Sequence, residues 1–154
     1  MPSFAAVFAR TDSGWIAADA DLAQSEQPED VTDLLREAAL EAPGDLVVLL
    51  VEDNDAWFGV VRVDGEDDPR VFVSDASAAQ AAPGVLGELL LDLVTDGLEA
   101  KADGDPVGDP ALLGDLGTAE ERLMRLSDRA VPTDALDEIA QSAGFADELD
   151  ALRV

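Results

Sequence analysis

Residues 46–73 constrain the fold more than any other part of this chain. Leu46–Val51 (LVVLLV), Ala56–Val63 (AWFGVVRV) and Arg70–Val73 (RVFV) are β-branched and aromatic runs of strand length. Short acidic stretches join them: Glu52-Asp53-Asn54-Asp55, then Asp64-Gly65-Glu66-Asp67-Asp68-Pro69. Connections this short between extended runs permit an antiparallel meander, because parallel neighbours need a long crossover. The first run is apolar at every position, which predicts a strand covered on both faces. Arg62 and Arg70 interrupt the other two, so one face there is expected to be partly wet.

The flanks extend this sheet. Ser3–Arg10 and Trp15–Ala18, separated by the turn-forming Thr11-Asp12-Ser13-Gly14, read as a hairpin. Asp30–Glu41 reads as a helix capped by Asp30. Its apolar face carries Val31, Leu34, Leu35 and Ala38, and Pro43-Gly44 stops it. Val85–Leu98 reads as a second helix. The order is ββαβββα, an α+β fold with a five-stranded antiparallel sheet. It resembles the roadblock/longin and profilin-like architectures in element order, a likeness that concerns fold alone.

Composition then shifts. Residues 1–100 are read as the sheet domain and 101–117, rich in Gly, Pro and Asp, as a linker. Residues 118–154 are read as a helical segment packing on the domain. Thr118 with Glu121 forms a capping box before Leu123, Met124 and Leu126. Pro132-Thr133-Asp134 opens a further helix with Leu136, Ile139, Ala140 and Ala143 at helical spacing and Gly144 as its stop. Phe145–Val154 adds a last turn or two.

The side-chain inventory narrows the chemistry. The 154 residues include 35 Asp and Glu against nine Lys and Arg, giving a formal charge of −26, with no His, Cys or Tyr. General acid–base work near neutral pH most often uses His, thiolate nucleophiles need Cys, and zinc sites are built mainly from both. The charge opposes direct contact with nucleic-acid phosphates and with anionic membranes, and it steers basic-faced partners toward the chain. No apolar run is long enough to span a bilayer and no secretory signal is apparent, so a cytoplasmic protein is expected.

Motifs add little. Asp103, Asp105 and Asp109 begin like a calcium loop, but the positions that need ligands hold Val107 and Gly114, so no metal and no cofactor is expected. Ser74-Asp75 is read as a turn or cap sooner than as a catalytic pair. The candidate interaction residues are the acidic hairpin tips, Glu52, Asp53 and Asp55 at one and Glu66, Asp67 and Asp68 at the other. Arg62 and Arg70 are added as neighbours on a sheet face. For these arginines a structural role, neutralising local repulsion, outweighs the interaction patch.

Four stretches carry a family resemblance: FAAVFARTDSGW (4–15), VVLLVEDNDAWFGVVRVDGEDDPRVFVSD (47–75), GDPALLGDLG (108–117) and PTDALDEIAQSAGFADEL (132–149). In this order they resemble the actinobacterial tRNA adenosine deaminase-associated proteins. The deaminase itself is recognised by H-x-E and P-C-x-x-C, which this chain lacks. The resemblance implies a non-catalytic accessory protein, with a tRNA adenosine deaminase or another basic-faced protein as partner. The alternatives left open are an acidic nucleic-acid mimic, a homodimeric structural module and a carboxylate- or metal-dependent enzyme.

Overall fold

A computed structural model of the chain describes residues 3–11, 14–19, 28–40, 46–53, 57–64, 70–75, 107–108, 111–129 and 132–153. The five expected strands are β1 (Ser3–Thr11), β2 (Gly14–Asp19), β3 (Leu46–Asp53), β4 (Trp57–Asp64) and β5 (Arg70–Val73). A two-residue strand, β6 (Val107–Gly108), joins them. The sheet order is β2-β1-β3-β4-β5-β6, antiparallel at each pairing.

The meander sits where its sequence requires. β3 lies between β1 and β4, with Leu49 opposite Val7 on one side and Val61 on the other. Val47 to Val51 are each 0% exposed. Such a strand cannot alternate polar and apolar residues, because neither of its faces meets water.

Two layers cover it. The helix α1 (Pro28–Leu40) packs on β1, β3 and β4, with Leu35 buried. It begins at Pro28, two residues before the expected cap, so Asp30 sits in its first turn. Proline suits that first position, where its missing N–H costs no helical hydrogen bond. The other face carries Phe8, Val48, Leu50, Phe58, Val60 and Phe72. Against it pack α2 (Glu120–Arg129), α3 (Pro132–Ala143) and α4 (Ala146–Arg153). Their buried contacts include Leu123, Leu136, Ile139 and Leu149. Phe145 stacks on Phe8 with ring centroids 4.1 Å apart, and Trp15 meets Phe145 edge-on at 4.9 Å. That aromatic trio ties the α3–α4 corner to the first hairpin.

Several local expectations change. Met124 is 40% exposed and lies off the apolar side of α2, whose buried residues are Leu123 and Leu126. Thr118 is one residue outside the capping position. The Ala119 carbonyl accepts the first helical bond, from Leu123 N–H at 2.9 Å, while buried Thr118 donates its N–H to Leu113 O at 3.1 Å. The segment read as linker supplies β6, and beyond it Leu112, Leu113 and Leu116 enter the core. Its leucines sit among glycines and aspartates that satisfy turns, so average composition conceals them. The expected helix Val85–Leu98 and the aspartates Asp103, Asp105 and Asp109 lie outside the described residues.

Candidate functional site

Where the sequence suggests an open arginine face, the structure places a closed ion pair. β4 alternates Phe58, Val60 and Arg62 toward the face covered by the C-terminal helices. Arg62 is only 6% exposed. Its Nη1 donates to Leu112 O at 2.6 Å and to Asp115 Oδ1, and its Nη2 donates to Asp115 Oδ2 at 2.8 Å. The planar guanidinium and the carboxylate thus meet fork to fork. Asp115 is the middle residue of the 3-10 turn Gly114–Leu116, which carries it to the end of the Arg62 side chain. The face expected to be wet therefore encloses the Arg62 guanidinium, while the Asp115 carboxylate that holds it stays accessible.

The electrostatics follow from the same geometry. The hydrogen bond from Arg62 holds the Asp115 carboxyl below the usual aspartate range. Partial burial opposes this, and the positive charges of Arg62 and, more weakly, Arg70 assist it. Arg70 is directly across from Arg62 in the β4–β5 register and is half-buried. Two cations opposed across a strand pair repel, and Asp115 offsets that repulsion.

Gly117 completes the turn. Its φ is +100°, and a Cβ there would lie 2.8 Å from the carbonyl oxygen of Ser142 on α3. Glycine is needed for both reasons, since the backbone is left-handed and another backbone stands against it.

The other sequence candidates divide. Glu52 is buried within β3, paired in register with Phe4 and Phe58, so it does not sit on an exposed tip. Asp53 ends β3 opposite Trp57. Asp55, Glu66, Asp67 and Asp68 lie outside the described residues. Ser74 serves the sheet: its N–H donates to Phe58 O and its hydroxyl accepts from Phe58 N–H, both at 2.9 Å. That pair of bonds extends the β4–β5 ladder past Val73.

Sequence reasoning missed the acidic helical layer. Glu120, Glu121, Asp134, Asp147 and Asp150 are all exposed, on α2, α3 and α4. Arg122 of α2 reaches Glu138 of α3 at 3.0 Å in an exposed pair. Asp115 was missed as well. Its partner is 53 residues away, and no local pattern announces such a pairing. Among the described residues no group of three carboxylates is placed to hold a metal ion, and no helix is long and apolar enough to cross a membrane.

Fold and site together define an α+β module whose sheet is sealed by helices and whose described exterior is strongly acidic. The chain belongs to the family described as Rv3753c-like tRNA adenosine deaminase-associated protein, which it matches over residues 3–146. No curated protein matches it. No solved structure matches it either, so the roadblock and profilin likeness rests on element order alone.

Proposed function

We propose that this chain is a non-catalytic accessory protein that binds a tRNA adenosine deaminase through electrostatic attraction. Membership of a deaminase-associated family carries the reading. The inventory supports it, because a chain without His or Cys cannot build the zinc site of the deaminase itself. A tRNA-modifying enzyme presents a basic surface to phosphates, and a chain of −26 is steered toward such a surface. In a narrower form of the reading, the acidic exterior occupies the tRNA groove and acts as a nucleic-acid mimic.

The experiment is association of the purified chain with the deaminase of the same genome, followed at low and high salt and with tRNA added. Attraction between exposed charges fades over about 8 Å at physiological salt, so the association rate should fall steeply as salt rises. Neutralising Asp53 and Asp55, or Glu66, Asp67 and Asp68, to Asn and Gln should slow it further. Competition by tRNA supports the mimic, whereas a ternary complex supports an accessory role beside the substrate. Absence of binding at low salt would overturn the reading.

A further inference from the structure

The two edges of the sheet are built differently. One ends in β6, only two residues long. Short edge strands are a common defence against unwanted pairing. The other ends in β2, six residues long, and among the described residues no hydrogen bond is made to its outer side. Apart from Asp19 at its end, β2 also lacks the usual protections. Gly14-Trp15-Ile16-Ala17-Ala18 contains no proline and no charge, in a chain with 35 acidic residues. Ile16 is 50% exposed, the more exposed of the two large apolar side chains that stand out among the described residues. Gly14 and Ala18, on the same face as Ile16, are exposed beside it.

We propose that the β2 edge pairs with the β2 edge of a second copy, antiparallel about a two-fold axis through Ile16. Charge selects this occupant. A basic segment would find no carboxylate on Gly14–Ala18, whereas an uncharged strip meets its own copy without burying a charge. Register supports it. A two-fold axis perpendicular to the sheet keeps each face on its own side, so residues of the same parity meet. With Ile16 against Ile16 of the copy, Trp15 falls opposite Ala17, a large side chain beside a small one, and Gly14 falls opposite Ala18. Within Gly14–Ala18 no acidic residue is opposed to another.

The association is weak by construction. A single strand edge lies at the small end of specific interfaces. The two-fold axis also brings both copies of α4, which packs on β2 and exposes Asp147 and Asp150, onto one face. Salt should therefore strengthen self-association, opposite to its effect on capture of a basic partner.

The chain has no cysteine, which makes the test direct. In Ile16→Cys the only thiol lies at the proposed axis, and in Met124→Cys it lies on an exposed position of α2. Thiols held opposite each other meet at a high effective concentration, so Ile16→Cys should form a disulfide-linked dimer at least about tenfold faster than Met124→Cys. Sedimentation equilibrium of the unmodified chain, at concentrations up to about 500 μM to suit a small interface, should show a monomer–dimer equilibrium. Higher salt should strengthen it and Ile16→Glu should abolish it, with the circular dichroism spectrum unchanged. Equal cross-linking rates at the two positions, or a monomer throughout, would overturn the proposal. Dimerisation that survives Ile16→Glu would do the same. None of these outcomes bears on binding of the deaminase.

Discussion

Asp115 is exposed by area and tied to the core by bonding. Its side chain is 61% accessible, yet it holds a guanidinium that is almost entirely enclosed. Removing it takes both carboxylate bonds from the buried Arg62 guanidinium, which keeps its bond to the Leu112 carbonyl, and the loss of a counter-charge beside a buried cation is costly. Asp115→Ala should therefore destabilise the fold by about 1–3 kcal/mol, against about 0.5 or less for a control such as Asp134→Ala. Urea midpoints decide between them. The pH dependence has a definite sign. The folded carboxyl titrates below its unfolded value, so its contribution is present above the unfolded pKa and lost as pH falls through the folded one. The stability difference between the parent chain and Asp115→Asn should be constant near neutrality and shrink below about pH 4. A difference that grows on acidification would contradict the assignment. Gly117→Ala makes a second test of the same turn. A Cβ there meets the Ser142 carbonyl in a left-handed backbone, so a loss of about 1–3 kcal/mol is expected from strain alone.

At the scale of the elements, β3 is the strand on which both layers rest. Leu49 is fully buried, and α1 packs on the same strand. Leu49→Ala should cost about 2–5 kcal/mol, read from the same urea midpoints, the spread reflecting how far the site can collapse. A loss under about 1 kcal/mol would mean that the strand is less enclosed than its burial implies. This strand was fully legible in the sequence, since an uninterrupted apolar run of that length between turn residues has few other uses. α3 was legible for a related reason, with Leu136, Ile139 and Ala140 at helical spacing between Pro132 and Gly144. What escaped was non-local. Nothing near Arg62 says that residues 112–116 fold over it, and a strand arginine reads as exposed until its partner is known. β6 escaped because two residues carry no period. Thr118-x-x-Glu121 has the form of a capping box, but the helix begins one residue later because the Thr118 N–H is already bound to Leu113.

At the scale of the whole molecule, charge sets the behaviour, and it acts in opposite directions on folding and on binding. A net charge of −26 on 154 residues makes the compact state repel itself. The described helices show where part of that charge sits, with Glu120, Glu121, Asp134, Asp147 and Asp150 exposed on one layer against Arg122 and Arg125. Cross-linking pairs such as Arg122–Glu138 are exposed and so worth less than about 1 kcal/mol each, which cannot offset a surplus this large. Screening should therefore stabilise the fold. Raising sodium chloride from about 0.02 M to about 0.5 M shortens the Debye length from tens of ångströms to a few, and the urea midpoint should rise. Urea is the denaturant of choice because guanidinium chloride would itself screen. Over the same range the association rate with a basic-faced deaminase should fall, since attraction is screened as effectively as repulsion. If salt left the urea midpoint unchanged, the carboxylates would be too dispersed to repel appreciably. The case for electrostatic capture would then weaken with it, because both effects draw on the same surface field.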